Sequence, residues 1–151
     1  MSFSAAGGYP FVTALDESTA HVDYRVLHVD DDPQFADLVS IYLEREGDGM
    51  EVATETSAPA GLERLDERRF DCVVSDYDMP GMDGLEFLRA VRDDYGDLPF
   101  ILFTGKGNEA IASDAISAGV TDYLQKDGGS EQYTVLANRI ENVAERHHAE
   151  R

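Results

Sequence analysis

Four short hydrophobic runs in this chain each end in polar or charged residues: two in clustered carboxylates, one in a hydroxyl and one in an ammonium. Arg25-Val26-Leu27-His28-Val29 leads into Asp30-Asp31-Asp32, and Asp71-Cys72-Val73-Val74-Ser75 leads into Asp76-Tyr77-Asp78-Met79-Pro80. Pro99-Phe100-Ile101-Leu102-Phe103 ends in Thr104-Gly105, and Val120-Thr121-Asp122-Tyr123-Leu124-Gln125 ends in Lys126. If the runs are parallel strands of one sheet, their carboxyl ends lie side by side, where open α/β sheets bind their ligands. Clustered carboxylates repel one another unless a cation neutralises them. The pattern therefore points to a divalent metal and to phosphate chemistry.

The segments between the runs support that architecture. Asp32-Pro33 starts a helix, with Asp as N-cap and Pro at its first position. Phe35, Leu38, Val39 and Tyr42 are expected on its inner face, with an end near Gly47. Met50 to Ala53 reads as a further strand, and Ser57-Ala58-Pro59 opens a helix that turns Leu62 and Leu65 inward. The turn at Pro80-Gly81 leads to a helix carrying Leu85, Leu88 and Val91. Another helix runs from about Asn108 to Ala118 and closes at Gly119, and Ser130 caps a last one with Leu136, Ile140 and Val143 at core spacing. Five alternating β and α units predict an α/β sandwich around a doubly wound parallel sheet. Residues 1–24 read as a loosely ordered N-terminal extension, and residues 25–151 as one domain.

Composition narrows the function classes. The chain has 31 Asp and Glu against 12 Lys and Arg, a formal net charge of -19. Such a surface repels nucleic acid, so direct DNA binding is not expected. Self-repulsion on this scale is eased by salt, which points to a host with a very salty cytoplasm, such as a halophilic archaeon. No apolar stretch approaches the roughly 18 residues of a membrane span, and the N-terminus has no signal-peptide pattern, so a cytoplasmic protein is expected. Cys72 is the only cysteine and lies within an apolar run, as a small core residue would.

Each candidate has a plainer explanation. Asp32 alone suffices to cap the helix, which leaves Asp30 and Asp31 without a structural task. Asp76 taken singly would be an ordinary turn residue, but it ends an apolar run before a sharp turn and so can face the acidic pair across neighbouring strands. Thr104 and Lys126 are common residue types. At the ends of two further strands they supply the hydroxyl donor and the cation that phosphoryl oxygens require. A carboxylate beside a bound cation can attack phosphorus and form an acyl phosphate. His28 reads as a packed core histidine, and His147-His148 as a solvated helix terminus without a metal role.

From Arg25 to His147 the chain resembles the receiver domain of two-component response regulators. The resemblance rests on Val29-Asp30-Asp31, Ser75-Asp76-Tyr77-Asp78-Met79-Pro80-Gly81-Met82-Asp83-Gly84, Thr104-Gly105 and Tyr123-Leu124-Gln125-Lys126. It implies a flavodoxin-like sheet in the order 2-1-3-4-5 with five helices. It also implies a phosphoacceptor signalling domain, not an enzyme, that assists its own phosphorylation and dephosphorylation. Asp76 would accept a phosphoryl group from a histidine kinase or phosphotransfer protein. Asp31 and Asp76 would bind Mg2+ directly, Asp30 through water, and Asp78 through its main-chain carbonyl. Thr104 and Lys126 would hold the phosphoryl group. Thr104 and Tyr123 would form the conformational switch, read out on the face of the fourth helix, fifth strand and fifth helix. Asp78 and Lys106 occupy the positions that tune dephosphorylation, and an ion pair between them would cover the site. A monomer or weak homodimer is expected, with a downstream effector that the sequence does not specify.

One departure from the family pattern stands out. A proline usually follows the conserved lysine, often after a cis bond, whereas this chain has Lys126-Asp127-Gly128-Gly129. A cis bond before Asp would cost about 3–4 kcal/mol, so either a trans bond with a rearranged loop or a strained cis bond is expected. Two other readings compete. A phosphatase of the haloacid dehalogenase type would also use an Asp-x-Asp such as Asp76-Tyr77-Asp78, but would carry it earlier and need more chain after it. A pseudo-receiver acting only as an interaction module would normally have lost the acceptor or the lysine.

Overall fold

The computed structural model describes residues 24–46, 49–105 and 108–149. The hydrophobic runs form five strands, β1 (Tyr24–Val29), β2 (Met50–Glu55), β3 (Cys72–Ser75), β4 (Phe100–Thr104) and β5 (Asp122–Gln125). Five helices alternate with them: α1 (Pro33–Glu46), α2 (Ala58–Glu67), α3 (Gly84–Tyr95), α4 (Glu109–Ser117) and α5 (Glu131–Ala149). All strand pairs are parallel, in the expected order β2-β1-β3-β4-β5.

The strands are apolar on both sides because both faces are covered. Val26, Cys72, Val74, Ile101 and Phe103 face one way and pack with Val39 and Leu43 of α1 and Leu136 and Ile140 of α5. Leu27, Val29, Val73, Phe100 and Leu102 face the other way and pack with Leu65 of α2, Leu85, Phe87, Leu88 and Val91 of α3, and Ala115 of α4. One sheet thus separates two cores.

Local chemistry sets the helix starts. Asp32 Oδ1 accepts the N–H groups of Gln34 and Phe35 at 3.1 and 3.3 Å, so Asp32 is the cap of α1. Ser57 caps α2 and Asn108 caps α4, while Asp83 and Glu86 form a reciprocal capping box at α3. Leu38 departs from expectation: it is 47% exposed, and Ala36, Val39 and Leu43 form the buried stripe of α1 instead. Leu38 lies one residue from Val39, about 100° around the helix, and falls on the flank. β5 begins two residues later than expected, because the Val120 N–H turns back to the Ala115 carbonyl at the end of α4. Tyr24, expected as the last residue of the N-terminal extension, instead opens β1 opposite Met50. The rest of that extension, residues 1–23, and the proposed helix end at Gly47 lie outside the described residues.

Candidate functional site

The register of the strands brings the acidic ends together. Val29 pairs with Ser75, so the residues that follow, Asp30 and Asp76, leave adjacent strands at the same level. The Asp76 N–H donates to the Val29 carbonyl at 2.9 Å, which continues the ladder by one residue. On the far side Thr104 pairs with Gln125, and the Lys126 N–H donates to the Thr104 carbonyl at 3.1 Å. The result is an open cleft of about 390 Å³ lined by Asp30, Asp31, Asp32, Asp76, Asp78, Gly105 and Lys126.

Within the cleft each carboxylate is differently held. Asp30 is buried, at 1% exposure; its Oδ1 accepts the Asp32 N–H at 2.9 Å and its Oδ2 meets the Lys126 ammonium at 2.9 Å. Asp76 is also buried; its Oδ1 accepts the Tyr77 N–H at 2.8 Å and its Oδ2 lies 3.5 Å from Lys126 Nζ. Asp31 stands at the exposed rim. Partial desolvation pushes its carboxyl above the usual range, and the charges of Asp30, Asp76 and Asp78 add to the effect. Asp30, Asp31 and Asp76 each offer an oxygen, and these three lie within 4.8 Å of one another. That is a hard, all-oxygen donor set of high negative charge, the kind suited to Mg2+ or Ca2+.

The Lys126 ammonium has a third neighbour that the sequence did not announce. Lys126 Nζ stands 4.4 Å from the centroid of the Phe35 ring, which stacks on Phe103 at 6.1 Å. The ring attracts the cation without neutralising it. His28 lies behind this group, fully buried with Nδ1 unpartnered among the described residues. Burial and then the charge of Lys126 lower its pKa to about 4, against the opposing pull of Asp76, so it is a neutral core histidine at pH 7.

Thr104 is buried beneath the rim, next to Gly105, and does not itself line the cleft. Tyr123 sits one strand away in the core shared with α2, α3 and α4. Its hydroxyl is buried without a hydrogen-bond partner among the described residues, and burial raises its pKa. Asp78 is exposed at the cleft mouth; Lys106 and the expected Asp78–Lys106 pair lie outside the described residues. The helix terminus at His147-His148 is less free than expected, since the two Nδ1 atoms lie 3.6 and 3.5 Å from Asp71 Oδ1. A larger cavity of about 490 Å³ lies at the opposite end of the sheet, near Leu65, Phe70, Tyr95 and Leu98. Asp66 and Glu67 line it, but among the described residues no group of three acidic or metal-ligating side chains converges there.

The family model for the response regulator receiver domain matches residues 26–138. The chain belongs to the receiver domain family. Among curated relatives it is 32% identical over 117 residues to the transcriptional regulatory protein FixJ of Bradyrhizobium diazoefficiens, covering 78% of this chain and 56% of that protein. It is 40% identical over 106 residues to a protein-glutamate methylesterase/protein-glutamine glutaminase of a Nocardioides species, covering 68% of this chain and 28% of that protein. The chain thus spans about half or less of the relatives it matches. The receiver domain protein (CheY-like) of Methanospirillum hungatei superposes with a TM-score of 0.76 at 26% identity, covering 85% of this chain and 98% of that one. A chemotaxis response regulator of Vibrio cholerae gives 0.70 at 30% identity, covering 78% and 98%.

The receiver is therefore a signalling module of two-component systems, a family that works with histidine kinases and downstream effectors. The flavodoxin-like order of its strands and the family match favour neither the phosphatase reading nor the pseudo-receiver reading. No helix among the described residues is long and apolar enough to cross a membrane.

Proposed function

We propose that this receiver takes a phosphoryl group onto Asp76 from the phosphohistidine of a histidine kinase or phosphotransfer protein. The P–N bond breaks and a P–O bond forms to the Asp76 carboxylate. The released imidazole nitrogen keeps the electron pair and takes up a proton from solvent. The observation that carries the reading is the convergence of Asp30, Asp31 and Asp76 within 4.8 Å beside one ammonium, 3.5 Å from Asp76 Oδ2. Asp31 and Asp76 directly, Asp30 through water and the Asp78 carbonyl would hold Mg2+, which supplies charge neutralisation for the incoming phosphoryl oxygens. Lys126 and Thr104 bind those oxygens, and Asp78 and Lys106 tune hydrolysis of the acyl phosphate. The domain assists these steps on itself and turns over no separate substrate.

Thr104 and Tyr123 form the switch. An unsatisfied buried hydroxyl costs about 1–3 kcal/mol. Tyr123 is thus held in a state that a new covalent group can displace. The face of α4, β5 and α5 carries the output, and Ile116 and Val135 are exposed on its helices. Residues 25–151 form the receiver unit together with Tyr24, which β1 takes into the sheet, preceded by an extension over residues 1–23. The domain works in the cytoplasm of a salt-adapted host, as a monomer or weak homodimer, without contacting DNA or membrane itself.

Treatment of the phosphorylated chain with hydroxylamine tests the acceptor. An acyl phosphate yields a hydroxamate, and peptide mapping should place it at Asp76. A hydroxamate at Asp30 or Asp31, or an adduct resistant to hydroxylamine, would contradict the reading.

A further inference from the structure

The loop after Lys126 has little stiffness of its own. It reads Asp127-Gly128-Gly129, and Gly128 takes a φ of +82°. Yet Lys126 must deliver its ammonium to within 2.9 Å of Asp30 and 3.5 Å of Asp76 at the end of a flexible four-carbon stem. Two side-chain hydrogen bonds brace the loop. Asp127 Oδ1 accepts the Gly129 N–H at 2.9 Å, a contact internal to the turn. Gln132 Oε1 accepts the Asp127 N–H at 3.2 Å, and Gln132 belongs to the first turn of α5. Gln132 is only 6% exposed, so its amide is costly to bury without a partner.

We propose that Gln132 is a positioning residue for Lys126. By holding the Lys126–Asp127 peptide against α5, it fixes where the lysine stem begins. The neighbouring residue on the same turn, Tyr133, packs 6.3 Å from Phe35, whose ring lies under the ammonium. One helical turn thus supports both ends of the lysine. Residues 127 and 132 act as a pair: proline at 127 would remove the N–H and strand the Gln132 oxygen. This inference rests on the role of Lys126 in the proposed function.

The test compares the full chain with Gln132→Leu, Gln132→Glu, Asp127→Pro and the Asp127→Pro/Gln132→Leu double variant. Maximal rate and KM for phosphorylation by acetyl phosphate with Mg2+ are measured for each. Gln132→Leu should lower the maximal rate about fivefold, the equivalent of one ordinary hydrogen bond, while Mg2+ affinity is unchanged. Gln132→Glu keeps the acceptor oxygen and should stay within about twofold, and the double variant should be faster than Asp127→Pro alone. A Gln132→Leu rate equal to wild type would overturn the proposal. So would a Gln132→Glu variant as slow as Gln132→Leu, because helix packing would then be the cause. Lys106 and Lys126 are the only lysines, so side-chain NMR gives an independent readout. Gln132→Leu should move the Lys126 ammonium resonance toward that of a free lysine, and an unmoved resonance overturns the proposal. If the wild type takes no phosphoryl group, the proposed function fails, while the resonance still decides the role of Gln132.

Discussion

Gly84 opens α3 at a place where the backbone of the acceptor loop leaves no room. Its N–H donates to the Tyr77 carbonyl at 2.8 Å. A Cβ at residue 84 would stand 2.4 Å from the Asp76 carbonyl oxygen, 2.8 Å from Tyr77 Cα and 2.9 Å from Leu102 Cδ1. Contacts between carbon atoms are comfortable at about 3.5–4.0 Å, so relief requires a shift on the order of 1 Å. Two of the three obstacles are backbone atoms and cannot rotate aside. Overpacking costs about 1–3 kcal/mol, and backbone obstruction puts Gly84→Ala at the upper end. The better helix propensity of Ala returns somewhat under 1 kcal/mol, leaving a net loss of about 2 kcal/mol. For a domain of this size that is a fall in Tm of about 5–8 °C. The displaced atom belongs to Asp76 itself, so phosphorylation by acetyl phosphate should also slow by about tenfold or more. Gly81→Ala is the control. Gly81 has a φ of +82° but nothing within 4 Å of its would-be Cβ, so it should lose about 1 kcal/mol from backbone strain alone. Thermal melts and phosphorylation rates of both variants decide the matter. A Gly84→Ala protein that melts and phosphorylates as the wild type does, or that is less affected than Gly81→Ala, would refute the reasoning.

Three other outcomes follow from the charges. Asp31→Asn should melt higher than wild type at pH 7 in EDTA. The raised carboxyl of Asp31 makes it a source of stability only at low pH, lost as pH rises through that raised value. Mg2+ should then stabilise wild type more than the variant, and a lower Tm for Asp31→Asn in EDTA would contradict the crowding of the cleft. His28 has the opposite sign: its depressed pKa means that stability present above its ordinary value of 6.5 is lost as pH falls toward about 4. Urea melts of wild type and His28→Leu should diverge across that window by about 3 kcal/mol, and parallel pH profiles would place the proton elsewhere. With a net charge of -19, the Tm should climb as KCl is raised from about 0.1 M to 1 M, where the Debye length shrinks from about 10 to 3 Å. A flat response would argue against a salt-adapted surface.

The fold was legible because both of its periodicities are short-range. Val26-Leu27-His28-Val29 and Phe100-Ile101-Leu102-Phe103 announce strands covered on both faces, and Asp32-Pro33 announces the helix between crossings. The acidic site was legible because parallel strands carry their ends to one edge, so chain order alone brought Asp30, Asp76 and Lys126 together. What escaped depends on rotation about an element or on contacts between distant segments. Periodicity alone places Leu38 in the core, because it does not say which of two neighbouring residues takes the flank. Phe35 looked like a core residue, and nothing local shows that its ring lies under an ammonium 91 positions later in the chain, 35 against 126. Gln132 resembled any polar residue in the first turn of a helix. The missing proline at position 127 was the available signal, since its replacement brings an N–H that must find an acceptor. Gly84 read as part of a turn motif, whereas its packing against Asp76 requires coordinates to see.

The most direct measurement is the intact mass of wild type and Asp76→Asn after incubation with acetyl phosphate in high KCl, with and without Mg2+. The account predicts one added phosphoryl group on the wild type with Mg2+, and none on the variant or without the metal. An equal adduct on Asp76→Asn, or one that forms as readily in EDTA, would contradict it.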